Sequence, residues 1–198
     1  MRKIIVSLPF LAYYCVAPLN YDKAATNKGA NFYFGAEGFY AKGTYTESSN
    51  CQTTIKDFKY YGGIVTGGAY YGFSKNVAIG AEASLGAGLY LEDSKGKFLP
   101  FNVGYSFLKL SFPFSDGILA FKAGPSFPSL VKIGVIVGVP NPEKSSFSYF
   151  WAYPLFNTFS ISMQIKENLF LLIGFSQNKY GEEYDRSTNF NIGISVRR

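Results

Sequence analysis

Four charged residues stand out because each interrupts an otherwise uncharged, alternating stretch: Glu37, Glu82, Lys122 and Lys132. Two carboxylates and two amines can pair as ions, line an ion path or carry acid–base chemistry. Catalysis needs further partners, and the chain supplies few. It has no histidine, which removes the imidazole base of Ser–His and Cys–His mechanisms and the commonest zinc ligand. Glu37 and Glu82 have no additional catalytic group at a telling spacing. Cys51 lies in the polar segment Thr46–Thr54 with no base near it in sequence, and reads as an incidental loop thiol rather than a nucleophile. Gly62-Gly63 and Gly67-Gly68 open no helix and precede no Gly-Lys-Ser/Thr, so they are not phosphate loops. The expectation is a protein without a catalytic site, metal or cofactor.

The elements that carry these charges have period two. In Val77–Leu91 the odd positions are aliphatic, while the even ones are small, polar or aromatic and include Glu82. Such alternation marks a strand with a different solvent on each face, and its length exceeds the usual 5–6 residues of a soluble strand. The same grammar recurs in Asn31–Lys42, Asp57–Phe73, Lys97–Phe112, Ile118–Val139, Phe147–Ile165, Leu169–Gln177 and Thr188–Val196. Pro125 and Pro128 predict a bulge or bend within the Ile118–Val139 stretch. Eight strands result. Ser145–Ile165 is uncharged and long enough for a transmembrane helix, but its five serines, Asn157 and Gln164, and the alternation of its second half argue for a strand.

Short turns at Ser74–Asn76, Pro113–Gly117 and Lys166–Asn168 alternate with longer polar segments at Gly43–Lys56, Glu92–Gly96, Pro140–Ser146 and Asn178–Ser187. The expected fold is therefore all-β, an eight-stranded up-and-down antiparallel transmembrane β-barrel with both termini periplasmic. Lys or Arg at mid-bilayer on the lipid face costs about 2–4 kcal/mol. Glu37, Glu82, Lys122 and Lys132 should accordingly point inward, where a barrel of this size is filled by side chains. They then form a salt-bridged plug, with a narrow ion path as the alternative. Clustered aromatics (Tyr70, Tyr71, Phe73; Phe107, Phe112, Phe114; Tyr149, Phe150, Trp151, Tyr153) read as girdles at the two water boundaries.

At the N-terminus, Arg2 and Lys3 precede the uncharged run Ile4–Asn20, the form of a secretory signal peptide. The best small-residue cleavage site is Cys15-Val16-Ala17. This divides the chain into a signal at 1–17, a short periplasmic segment at 18–28 and a barrel at 29–198. Loss of Cys15 would leave Cys51 without a disulfide partner. Of 198 residues, 47% are hydrophobic and 16% charged, against roughly 25% charged in an ordinary soluble domain. The net charge of +6 is spread along the chain with no basic run, so no nucleic-acid partner is expected.

The segments GANFYFGAEGFYAKG, YYGFSKNVAIGAEAS and STNFNIGISV together resemble small outer-membrane barrels of the OmpA-barrel/OmpX type over Gly29–Arg198. That resemblance implies a bacterial outer-membrane protein with mobile outer loops, used for envelope integrity, adhesion or immune exposure. Its partners would be outer-membrane lipid and lipopolysaccharide, with an extracellular protein met through the loops, and it would act as a monomer. Two features depart from the family: no peptidoglycan-binding domain follows the barrel, and the chain ends Val196-Arg197-Arg198 instead of on an aromatic residue. Competing readings are a narrow pore, a small outer-membrane enzyme acting on lipid and a soluble lipocalin-like carrier. The enzymes resembling this architecture generally rely on histidine.

Overall fold

A computed structural model of the protein describes residues 17–49, 52–92, 95–154, 156–179 and 186–197. The signal-peptide assignment, Cys15, Cys51 and the middle of the Asn178–Ser187 segment lie outside the described residues. The strands are β1 (Gly29–Ser49), β2 (Gln52–Gly72), β3 (Val77–Glu92), β4 (Lys95–Phe114) and β5 (Gly117–Phe127). They continue as β6 (Val131–Gly138), β7 (Ser145–Tyr153), β8 (Phe156–Lys166), β9 (Leu169–Lys179) and β10 (Arg186–Arg197). Each pairs antiparallel with its sequence neighbour, and β10 pairs with β1 to close the barrel. The fold is thus all-β, up-and-down and closed.

It has ten strands rather than eight. Two stretches expected to be single strands are hairpins. Ile118–Val139 folds back at Pro128–Leu130, and Phe147–Ile165 folds back after Tyr153, next to Pro154. Proline cannot donate to a ladder and fits a reversal better than a strand interior. The turn at Pro128 is held by Ser126 N donating to Leu130 O, and Leu130 N donating to Tyr153 O. Alternation conceals both turns because odd residues pair with odd residues across them, as in Pro125↔Val131 and Ser145↔Met163. The outward face therefore keeps its phase through the reversal.

The first added hairpin moves one connection to the opposite end of the barrel, and the second restores the order beyond it. The Pro140–Ser146 segment, expected among the outer loops, joins β6 to β7 at the end that holds Gly29 and Arg197. Gly43–Lys56 is not a loop: β1 and β2 pair through it from Gly43↔Phe58 to Ser49↔Gln52. Above Gly104↔Phe127, β4 has no partner on β5, and beyond Thr44↔Arg186, β1 has none on β10. The upper parts of β1–β4 thus form a four-stranded sheet standing above the rim. Lys95, Lys97 and Pro100 on the free stretch of β4 are residues that discourage pairing with another chain.

The outer wall is apolar in a band, with Leu85 62%, Ile79 53% and Ile194 51% exposed. Aromatics belt it at two levels: Tyr71, Phe73, Phe112 and Phe114 toward the termini, and Tyr40, Tyr61, Phe127, Trp151 and Tyr153 toward the other end. Tyr70, Phe107 and Phe150, expected in the girdles, instead point inward and are buried. On β4 the apolar face is the inner one: Leu99, Phe101, Val103, Tyr105 and Phe107 are buried inside while Asn102 and Ser106 face out.

Candidate functional site

The interior is filled from both ends. At the terminal end the filler is a separate piece of chain. Ala17, Leu19, Tyr21, Asp22 and Ala24 are each at most 1% exposed. The stretch 18–28, for which the sequence suggested a periplasmic segment, packs through residue 26 inside the barrel wall. Glycine makes room for it: a β-carbon at Gly35 would run into the Tyr21 ring, and one at Gly174 into Leu19. Three wall strands grip its backbone. Lys109 on β4 donates to Lys23 O (2.7 Å) and Ala25 O (3.0 Å), and Ser111 donates to Ala24 O. Asn191 on β10 donates to Ala17 O, while Leu19 N donates to the Glu37 carboxylate of β1 at 3.2 Å.

All four charges singled out from sequence lie on the inner face and are buried. Glu82 accepts a hydrogen bond from Lys132 Nζ at 3.1 Å and one from the Tyr33 hydroxyl at 2.8 Å, and stands 3.8 Å from Lys122. These contacts cross the lumen from β3 to β6 and β5. Glu37 is not in that group. It is held by Leu19 N, by the Tyr21 hydroxyl (3.0 Å) and by Asn191 Nδ2 (3.2 Å), which ties it to the inserted segment instead. Lys122 Nζ also sits 3.7 Å from the centre of the Phe107 ring, a cation–π contact.

Sequence reasoning passed over two members of this network. Asp22 bridges Lys109 (3.1 Å) and Lys122 (3.5 Å), so the charges form a continuous chain Lys109–Asp22–Lys122–Glu82–Lys132. Asp22 gave no signal because it precedes the alternating region. Lys109 did: it shares its phase with Leu99, Phe101 and Val103, and a lysine on that face argues that the face points inward. Arg197, also buried, donates to Ser162 Oγ and lies over the Phe170 ring.

The opposite end is closed by rings. Phe39, Phe58, Tyr60, Tyr90 and Phe101 are buried together on the inner face of β1–β4. Phe39 meets Tyr60 at 4.9 Å and Phe101 at 5.8 Å between ring centres, both edge to face. The Tyr60 hydroxyl donates to Leu99 O at 2.6 Å, satisfying a carbonyl on the part of β4 that lacks a β5 partner. Chemically the arrangement binds its own chain: the buried carboxylates are engaged by amines, amides or phenols. Among the described residues, no group of three or more acidic or cysteine side chains is placed to hold a metal.

No family model and no curated protein matches the chain. Among solved structures it is similar to an outer membrane channel from Pseudomonas putida F1, at 10% identity over 92% of this chain and 100% of that one, with a TM-score of 0.49. It is similar also to KdgM porin in complex with disordered oligogalacturonate (12% identity, 84% and 98% coverage, TM-score 0.40). A third is Neisserial surface protein A (15% identity, 85% and 99% coverage, TM-score 0.36). The barrel assignment for this chain rests on its own strand register.

Proposed function

We propose that the protein is a non-enzymatic barrel of the bacterial outer membrane with a closed lumen. It supports the envelope and meets external partners through the end remote from its termini. An apolar outer wall between two aromatic belts, around an interior that holds the charges, suits a lipid-embedded barrel and not a soluble carrier, which would reverse the two faces. An even strand number with both ends of the barrel chain on one side fits periplasmic termini. The mature chain then begins after a signal at 1–17. The observation that carries the closed-lumen reading is the buried segment from Pro18 to Thr26, which the mature chain keeps, gripped by Glu37, Lys109 and Ser111.

Cell fractionation should place the protein in the outer membrane as a heat-modifiable monomer. In planar bilayers the intact protein should give no large stable conductance steps, and such steps would overturn the closed-lumen reading. A gated pore is the second reading, favoured by one feature: the filler at the terminal end is a segment apart from the wall, held there by polar contacts. Glu37→Ala combined with Ser111→Ala removes two of those holds. Conductance in that variant alone would support gating.

A further inference from the structure

The outer wall carries a basic row immediately beyond its upper aromatic belt. Across β10, β1 and β2 the register aligns Phe190, Tyr40 and Tyr61 in one outward-facing row. The next outward row is Thr188, Lys42 and Lys59, and the next is Arg186, Thr44 and Asp57. Lys42 and Lys59 are thus directly opposite each other, an arrangement that like charges destabilise unless something neutralises them. Among the described residues no carboxylate lies within ion-pairing distance of Lys42, Lys59 or Arg186. Glu92, near by, is engaged by Lys56 at 3.0 Å. Among the described residues Asp57 offsets one charge, so the three cations leave a surplus of two there. The wall is indented here, with a concavity of about 600 Å³ lined by Lys42, Asp57, Lys59, Arg186 and Thr188 and by the Lys56-paired Glu92.

We propose that this indentation binds the phosphorylated headgroup of a membrane lipid in the leaflet remote from the termini. Phosphate accepts charge-assisted hydrogen bonds from ammonium and guanidinium groups, and the flanking Thr188 hydroxyl adds a donor. Height selects a lipid over a soluble anion. Phe190, Tyr40 and Tyr61, 50%, 42% and 43% exposed, stand one row below the cations, where rings mark headgroup depth. A phosphate held by the basic row leaves its acyl chains lying against Tyr61, Val65 and Ile192, all exposed on the apolar band. The proposal rests on the membrane reading above and adds a site and a ligand class to it.

The test uses the full protein in detergent micelles, with fluorescent lipopolysaccharide as the probe. Lys42→Gln, Lys59→Gln and Arg186→Gln together should weaken binding at least tenfold. A charge-matched control replacing Lys28, Lys75 and Lys166, exposed at the terminal end, should leave it within twofold. Binding should also fall with salt and be at least tenfold weaker for a zwitterionic phospholipid, whose own cation competes for its phosphate. Equal weakening in the control, unchanged binding in the triple variant or no binding by the wild type would overturn the proposal. Binding of inorganic phosphate without preference for the lipid would also overturn it, in favour of a free-anion site. Lys59→Gln alone, expected to weaken binding at least threefold, serves if the triple variant does not fold by heat modifiability. Misplacement of the wild type on cell fractionation defeats the membrane reading instead, a result separate from lipid affinity.

Discussion

The barrel wall is built to two heights. β1–β4 run from 16 to 21 residues, whereas β5–β9 run from 8 to 11. A tilted strand needs about 9–11 residues to cross a bilayer, so in the proposed membrane setting the short side spends its length on the crossing. On the tall side, at about 3.4 Å per residue, a 21-residue strand is roughly 70 Å long, far more than an apolar band about 25 Å high requires. The surplus is a sheet outside the lipid. Inside the band, the sequence must keep hydrocarbon out and polarity in. Above it the solvent is water on the outer face, and the inner face can become dry because Phe39, Phe58, Tyr60, Tyr90 and Phe101 cover one another. The same alternation therefore carries opposite meanings at the two levels.

The largest effect should come from cutting what joins the two sides. Glu82→Ala leaves Lys132 and Lys122 buried without that carboxylate, which should cost about 3–5 kcal/mol in urea unfolding from detergent micelles. A double-mutant cycle should give stronger coupling for Glu82 with Lys132 (3.1 Å) than with Lys122 (3.8 Å). Equal or absent coupling would break the link between tall and short sides. Next, Ile133→Lys places an amine on the lipid face of the short side and should cost about 2–4 kcal/mol. Tyr60→Phe removes only the hydroxyl bond to Leu99 O, and about 0.5–1.5 kcal/mol should be lost. Smallest of all, Phe98→Lys on the tall side above the rim, at a side chain 71% exposed, should change stability by less than about 0.5 kcal/mol. A cost for Phe98→Lys as large as that for Ile133→Lys would mean that lipid reaches the raised sheet.

The two heights also explain which parts of the structure the sequence disclosed. Alternation located part of every strand, because period two survives wherever the two faces meet different solvents, but it did not reach the paired stretch between Gly43 and Lys56. It missed the hairpins at Pro128 and Pro154 because the odd-to-odd pairing carries the phase through both turns. A proline within a long alternating run is then better evidence of reversal than of a bulge. The apolar residues of β4 do not disclose its orientation, because large apolar side chains occupy its inner face at the dry end, whereas Lys109 lower on the same face declares the true direction. Glu37, Glu82, Lys122 and Lys132 were legible as charges on strands. Asp22 was not, since irregular chain has no period and its place in the network is fixed only by tertiary packing against Lys109 and Lys122.

On a barrel placed in the outer membrane as proposed, the raised β1–β2 hairpin bears on immune recognition. From Tyr40 to Ser49 it offers about 30 Å of continuous paired strand, a surface assembled from two chain segments running in opposite directions. An antibody raised against the intact barrel would contact side chains from both strands at once, so its epitope would be lost on unfolding. A linear peptide covering 43–56 would compete poorly for such an antibody, and antisera made against that peptide would recognise the denatured band in preference to the protein on the cell.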